Sequence, residues 1–433
     1  MSHTRLPWAA IAALGLTQNI GYGTLYYSFS ILASDMARGF GLSTEWIFGM
    51  LSIALLAGGL AAPWLGNALD RFGAGRVMTF GSAIAGAALL LCALAPNAAF
   101  FGIALVLTEM AANLVQYGAA FALLVQLRPE VAARSITYLT LIAGFASTMF
   151  WPITAALHQG LPWQGVYAVF AAANILICAP VHLWLARQLG HGMSRSGVNT
   201  AAAAAVRGSL RPEQRQLGFI LMVVGFSFQA LVSSAILVHM VPLLSGLGLA
   251  ALAVTVGSLF GPSQVASRLI NMLLGRDLPP LWLAAISAGL MAISPAVLLL
   301  GAPSTVAAVV FACLFGFGNG LFSIVSGTLP LSLFGSAGYG ALQGRVMAAR
   351  LIASAGAPFA FAFAIGHVGI PWSLGSVMIG GVAAVLALAA IAGLVRTSKP
   401  CRGEGSGQEP PPSLTAKSAS QAASTSTVKC DRS

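Results

Sequence analysis

A carboxylate stands in the middle of a long apolar stretch, at Glu109. Asn113 and Gln116 follow it at the fourth and seventh positions, so all three side chains fall on one face of a helix. An ionised carboxylate among apolar groups costs several kcal/mol unless it is protonated or faces a polar cavity. We therefore predict that these three residues bind solute or protons. The alternative is that Glu109 lies near the membrane interface or only hydrogen-bonds a neighbour.

Other polar residues recur at helical spacing in further apolar stretches. Gln18, Tyr22 and Tyr26 lie four residues apart, and their amide and phenol groups could orient a small polar ligand. Tyrosines also form belts at membrane surfaces, which is the alternative for this helical face. Gln229 and Asn319 are the corresponding candidates in the second half of the chain.

Three arginines occur near the ends of apolar stretches, namely Arg268, Arg345 and Arg350. Gln264 precedes Arg268 by one helical turn. A guanidinium binds carboxylates and oxyanions through two parallel hydrogen bonds, so Gln264, Arg268 and Arg345 are candidate residues for holding an anionic solute. The same arginines could instead be gate charges that pair with helix C-termini, and the sequence leaves both interpretations open.

The elements that must position these residues are membrane helices. Of the 433 residues, 58% are hydrophobic and 7% are charged, against roughly a quarter charged in an average soluble domain. A bilayer core takes about 20 apolar residues per helix, and the length accommodates twelve such spans. We predict an all-α membrane protein with a six-helix bundle at 1–187, a cytoplasmic linker at 188–215, a second six-helix bundle at 216–396 and a disordered cytoplasmic tail at 397–433.

The net charge of +11 reflects membrane topology and not nucleic-acid binding. When the N-terminus is placed in the cytoplasm, nearly all basic residues fall on the cytoplasmic side, and only Arg38 falls on the other. This distribution obeys the positive-inside rule, and an odd number of spans would destroy it. We therefore predict twelve spans in the cell inner membrane, with both termini cytoplasmic.

Short motifs repeat between the two halves of the chain. The sequence GGLAAP at 58–63 is matched by GSLFGP at 257–262. In the fifth predicted span Pro152 is followed eight residues later by Gly160, and in the eleventh Pro358 is followed eight residues later by Gly366. Both repeats relate a span to the one six further along. Two pseudo-symmetric bundles of this kind are common among secondary transporters.

The loop between the second and third spans reads GNALDRFGAGR, from Gly66 to Arg76. Its pattern of Gly66, Asp70, Arg71 and Gly73 resembles the cytoplasmic signature loop of the major facilitator superfamily, G-x-x-x-D-R-x-G. With the layout of two six-span bundles, the resemblance extends over nearly the whole chain except the tail. It implies a twelve-helix carrier that works by alternating access. It also implies that Asp70, Arg71 and Arg76 belong to a gate. A loop whose charges only set the membrane topology is the alternative.

The resemblance implies secondary transport of a small solute across the inner membrane, and we predict proton-coupled efflux. The arginines favour an alternative, uptake or exchange of small carboxylate anions. Export of a metalloid such as an arsenical is a further alternative, which requires that three cysteines of the spans lie close enough together to act as ligands. These are Cys92, Cys178 and Cys313.

The expected partners are the lipid bilayer, the solute and protons, and we expect a monomer. Nothing resembles a nucleotide-binding loop, so we expect neither ATP nor another cofactor, and no enzyme activity. A membrane-embedded enzyme or a receptor is the competing class. Such an enzyme should place several His, Asp or Glu residues at one depth, and a receptor should carry a folded output domain.

Overall fold

The chain folds into long helices because its apolar stretches are too long and too poor in charge for any other structure in lipid. The computed structural model describes residues 6–195, 206–275 and 278–398, nearly all of them helical. When segments are joined across short breaks, the described residues form twelve helices, which confirms the predicted fold. In chain order they are α1 (8–40), α2 (Thr44–Phe72), α3 (Ala74–Ala93), α4 (Ala98–Leu127), α5 (132–160), α6 (163–195), α7 (Arg215–Leu244), α8 (253–274), α9 (Pro280–Gly301), α10 (Thr305–Phe334), α11 (339–368) and α12 (370–398).

Nine helical segments within the described ranges are long and apolar enough to cross a membrane. Helices α1, α8 and α11 do not meet that standard. These three helices carry Gln18, Arg268 and Arg350 respectively.

Several helices are interrupted near their middle. A π-helical turn at Gly23–Tyr27 interrupts α1, and Gln116 adopts an extended conformation that breaks α4. Helix α5 is broken between Ala143 and Ala146. A glycine with a positive φ of 83°, Gly369, separates α11 from α12. Such breaks release backbone carbonyls that side chains can then use, and π turns are frequent at functional sites.

The buried apolar residues form separate cores in the two halves, where the first half is α1–α6 and the second is α7–α12. Two cores lie in the first half and two in the second. Leu331 and Tyr339 of the second half pack into a core of the first half. Both residues lie at the end of the bundle that carries residues 66–76, which we call the loop face. The opposite end is the far face.

At the loop face, α2 and α11 approach each other closely because both carry glycines at the point of contact. A Cβ atom added to Gly66 would lie 2.5 Å from the Gly340 carbonyl oxygen and 2.7 Å from the Gly344 Cα. A Cβ on Gly344 would lie 2.5 Å from the Ala62 carbonyl oxygen. Small residues let helix backbones approach in this way in membrane proteins.

The predicted linker at 188–215 begins as helix, since α6 continues to Arg195. Residues 196–205 lie outside the described residues. Arg207 then forms an antiparallel bridge with Gly335, and the Leu210 N–H donates to the Leu333 carbonyl oxygen at 3.3 Å. The predicted tail at 397–433 lies outside the described residues from position 399 onward.

We predict that Gly66→Ala lowers stability because its methyl group has no room against the α11 backbone. Overpacking of this kind costs about 1–3 kcal/mol. The matched control is Gly49→Ala in the same helix, where an added Cβ would meet nothing within 4 Å. Unfolding in mixed micelles measures the difference, and equal stability of the two variants would contradict the α2–α11 contact.

Candidate functional site

Arg268 lies buried on α8, at the interface between the halves. Its Nε donates to the Gly320 carbonyl oxygen at 3.3 Å and to the Ser323 Oγ at 3.0 Å. Its Nη2 donates to the Gln264 Oε1 at 3.2 Å, and its Nη1 donates to the Thr140 carbonyl oxygen of α5, also at 3.2 Å. The guanidinium is therefore held by uncharged acceptors and joins the second half to the first.

This contact lies beside the break in α5. The helix stops at Ala143, next to the Thr140 carbonyl that Arg268 uses. Gly144 follows, and a Cβ atom at that position would collide with the Arg268 Nη1. A glycine at 144 therefore provides the space in which the guanidinium lies.

Arg350 of α11 is the second arginine of this region. Its guanidinium carbon lies 4.6 Å from the centroid of the Phe322 ring. Its Nε is shielded from solvent and has no hydrogen-bond partner among the described residues. Arg345, the arginine that the sequence nominated on this helix, is exposed near the loop face. The structure thus places Arg350, and not Arg345, inside the bundle.

Tyrosines of the first half face these arginines. Tyr22 and Tyr117 have ring centroids 4.7 Å apart, and Tyr22 and Tyr27 have centroids 6.4 Å apart. Tyr27 and Tyr117 interact electrostatically with Arg268, and Tyr22 interacts with Arg350. The three phenol rings and the two arginines therefore lie in one region between the halves, which we call the central site.

The π turn decides which tyrosine accompanies Tyr22. Residues five apart lie above one another in a π turn, so Tyr27 packs near Tyr22. Tyr26, predicted to share a face with Tyr22, is 48% exposed and contacts the edge of Tyr27. In an uninterrupted α-helix Tyr26 would lie on the same face as Tyr22, which is why the sequence analysis predicted Tyr26 as a site residue.

Two amides join the central site from the second half. The Asn319 Nδ2 donates to the Gln264 Oε1 at 3.2 Å, the same oxygen that Arg268 uses. The Ser233 Oγ donates to the Asn319 Oδ1 at 2.8 Å. The predicted residues Gln264, Arg268 and Asn319 thus form one hydrogen-bonded chain. Gln229 lies apart from it, buried and donating to the Ser287 Oγ at 3.0 Å.

In the first half, two of the predicted amides hold helices together. The Gln18 Nε2 donates to the Val115 carbonyl oxygen at 2.6 Å, just before the break at Gln116. The Asn113 Nδ2 donates to the Gly58 carbonyl oxygen at 3.1 Å and to the Glu109 carbonyl oxygen, also at 3.1 Å. These bonds connect α1, α2 and α4, and Gln116 itself lies half-buried at the break.

Glu109 is buried, with 7% of its surface exposed. Its Oε1 has no hydrogen-bond partner among the described residues, and its electrostatic neighbours include Tyr26 and Tyr167. It precedes Tyr117 by eight positions on α4, which is roughly 12 Å along a helix. Glu109 therefore lies nearer the far face than the arginines do.

Asp70 caps α11 at the loop face. Its Oδ1 accepts the Gly340 N–H at 2.9 Å, and its Oδ2 accepts the Ala341 N–H at 2.7 Å. A carboxylate at a helix N-terminus is stabilised by the free N–H groups and by the helix dipole. Arg71 and Arg76, the other predicted gate residues, are exposed. The Arg71 guanidinium lies 5.2 Å from the Phe72 ring centroid.

Besides Arg350, five residues of this region were not nominated from the sequence as site residues: Tyr27, Tyr117, Ser233, Ser323 and Thr140. The break at Gln116 and the π turn at 23–27 position the two tyrosines. Neither segment contains a proline or a charged residue from which the interruption could have been predicted. Thr140 contributes only its backbone carbonyl.

The three cysteines of the spans form no metal site with the other residues that the structure describes. The described residues contain no group of three or more His, Cys, Asp or Glu that could hold a metal ion.

A family model described as Major Facilitator Superfamily matches residues 14–358. The chain belongs to the Major Facilitator Superfamily. It is therefore a multi-pass membrane protein of a family of secondary transporters, which confirms the resemblance of the 66–76 loop. No curated protein matches the chain in a sequence comparison.

Solved superfamily structures share this fold at low sequence identity. The proton:xylose symporter XylE, bound to 6-bromo-6-deoxy-D-glucose, has a TM-score of 0.67 and 14% identity, over 90% of this chain and 97% of that chain. The human organic anion transporter MFSD10 (TETRAN) has a TM-score of 0.67 and 14% identity, over 89% and 100%. The transporter FucP in the outward conformation has a TM-score of 0.64 and 12% identity, over 90% and 98%.

We predict that Asp70→Ala opens the loop face, because the first N–H groups of α11 lose their acceptor. Loss of a helix cap costs about 1–2 kcal/mol, so the loop-open population should rise about fivefold to thirtyfold. Thiol labelling of Ser323→Cys from the loop side measures this, in a background whose natural cysteines are replaced. Asn67→Ala, an exposed position one turn earlier, is the control. Equal labelling of the two variants would show that Asp70 does not hold this face closed.

Proposed function

We propose that this transporter carries small organic anions bearing a carboxylate, and that Arg350 binds the carboxylate. The observation that carries the proposal is the Arg350 Nε, a donor shielded from solvent without a partner among the described residues. A buried donor left without an acceptor costs about 1–3 kcal/mol. An incoming carboxylate would supply the missing acceptor.

The charge balance supports the same proposal. Asp35 forms ion pairs with Arg38 and His158, and within the described ranges neither Arg268 nor Arg350 is paired with a carboxylate. Two cationic side chains inside the membrane without carboxylate partners are costly, and such residues usually mark a binding site or pathway. An anionic solute would offset both charges.

The two arginines have different roles in this proposal. Arg268 already donates to four acceptors, including the Thr140 carbonyl of the other half. It therefore suits the gate interpretation, while Arg350 keeps a donor for the solute. The phenols of Tyr22, Tyr27 and Tyr117 would contact the rest of the solute across the central site. MFSD10, with a similar fold, is described as an organic anion transporter, which agrees with this substrate class.

We propose that the loop face is cytoplasmic and that the protein lies in the cell inner membrane with both termini in the cytoplasm. Exposed arginines on the loop face support this orientation, while Arg38 lies on the far face. Alternating access would then expose the central site to the far side in the conformation described above. Efflux remains the predicted direction, and the monomeric state remains a prediction as well.

We also propose that Glu109 couples transport to protons. Its support is burial combined with an unpartnered Oε1, since a carboxylate in this setting is stable when protonated and must reach water to ionise. Its distance from the arginines would let a proton and an anion bind at separate places.

We predict that Arg350→Gln lowers carboxylate transport about tenfold to a hundredfold, the loss expected for one charge-assisted hydrogen bond of about 1.5–3 kcal/mol. Counterflow in proteoliposomes with labelled monocarboxylates, dicarboxylates, a neutral sugar and an organic cation measures it. Arg350→Lys should recover part of the activity, because it keeps the charge but loses the planar fork.

The control for that experiment is Arg215→Gln, at an exposed arginine on the loop face. The proposal fails if Arg350→Gln transports carboxylates as well as the wild type does. It also fails if the wild type moves only the neutral or cationic solutes.

We predict that Glu109→Gln abolishes transport driven by a pH gradient and preserves solute exchange at equal pH. The neutral amide keeps the size of the side chain but cannot release a proton. Uptake in everted vesicles with and without an imposed gradient separates the two activities. Gradient-driven transport at the wild-type rate would remove Glu109 from the coupling mechanism.

A further inference from the structure

A pocket of about 210 Å³ opens on the loop-face side of the interface between the halves. Its walls come from α5 of the first half and from α8, α9 and α10 of the second, and they include Ala133, Arg134, Tyr138, Asn271, Leu283 and Thr328. A single buried water needs roughly 15 Å³. The pocket therefore has room for a group of glycerophosphate size, and it is distinct from the central site.

The depth of the pocket corresponds to lipid headgroups. It lies where α5 begins, where α8 ends and where α9 begins at Pro280. The ring of Tyr138 packs against Trp8 with centroids 4.8 Å apart, and Trp8 is 54% exposed. Exposed tryptophans paired with tyrosines are typical of the membrane–water interface.

The lining combines apolar side chains with two polar groups that lack partners. Asn271 is 8% exposed, lines the pocket, and has an Oδ1 without a hydrogen-bond partner in the part of the chain that the structure describes. Arg134 is exposed at the rim, and no salt bridge of the described residues includes it. A buried amide without a partner is costly, so a hydroxyl donor reaching Asn271 would be stabilised.

We propose that this pocket binds the headgroup of an anionic phospholipid with free hydroxyl groups, of which phosphatidylglycerol is the simplest. Arg134 contacts the phosphate, Asn271 accepts a hydrogen bond from a headgroup hydroxyl, and the acyl chains extend along the apolar wall near Leu283. Basic pockets between helices at this depth favour anionic headgroups.

The bound lipid also favours the conformation in which the loop face is closed. The pocket needs α5 and α8 side by side, and in this conformation Arg268 of α8 donates to the Thr140 carbonyl of α5. When the halves rock apart at the loop face, α5 leaves α8 and the pocket loses one wall. A ligand that binds only one of two states shifts the population towards that state.

Native mass spectrometry of the full chain, in micelles doped with phosphatidylglycerol or phosphatidylcholine, tests the binding. We expect the wild type to retain phosphatidylglycerol in preference. Arg134→Gln should lower the bound fraction about fivefold, the effect expected for one basic residue at a lipid surface. Ala133→Phe fills the pocket without changing charge and should lower binding as well. Arg215→Gln, also exposed on the loop face but outside the pocket, should leave binding unchanged.

Equal retention of the two lipids would overturn the proposal. So would an equal loss in Arg215→Gln and Arg134→Gln, because the lipid would then respond to general surface charge. If Ala133→Phe still binds phosphatidylglycerol preferentially, the lipid lies outside this pocket, and that result would also overturn the proposal.

The conformational effect is measured by loop-side thiol labelling of Ser323→Cys in liposomes. Labelling should be slower with phosphatidylglycerol than with phosphatidylcholine, and Ala133→Phe should remove the difference. Equal rates in the two lipids would disprove the coupling to the closed loop face. Both measurements are independent of which solute is carried.

Discussion

Two charged side chains hold the halves of this protein together by binding backbone groups of the opposite half. Asp70 of the first half accepts two N–H groups at the start of α11, and Arg268 of the second half donates to a carbonyl at the break in α5. Asp70 uses N–H groups left free at a helix start, which lipid cannot satisfy. Arg268 adds a second donor to the Thr140 carbonyl, which also accepts the Gly144 N–H at 3.0 Å. The close contact of Gly66 with Gly340 and Gly344 depends on the same closed geometry.

The interruptions in the helices generate the central site. A straight α1 would direct Tyr26 where Tyr27 now lies, and an unbroken α4 would leave no free Val115 carbonyl for Gln18. At the break in α5, Gly144 leaves the space in which Arg268 reaches the Thr140 carbonyl. At the break in α4, the Gln18 side chain from α1 supplies a donor for the Val115 carbonyl.

The structure divides its buried polar residues into two groups. Gln18, Asn113 and Gln229 donate to fixed partners and connect helices within one half. Gln18 and Gln229 also keep a side-chain oxygen without a partner among the described residues. Arg350 and Glu109 are the two ionisable residues of the described chain with an unpartnered buried atom, so they are the ones suited to a charged solute or a proton. The proposed lipid site follows the same logic, because Asn271 has an unpartnered oxygen at the edge of the interface that must open and close.

The sequence by itself determined the number of helices, the family and the one-sided distribution of arginines, because hydropathy, the 66–76 motif and charge counts are local properties of the chain. It also nominated Gln264, Arg268 and Asn319, which the structure joins in one network. Only the tertiary structure decided that Arg350 lies inside and Arg345 outside, since residues five apart point about 140° away from each other on a helix. It likewise decided which tyrosines meet the arginines, because a π turn and a helix break depend on packing against other helices and leave no regular pattern in the sequence.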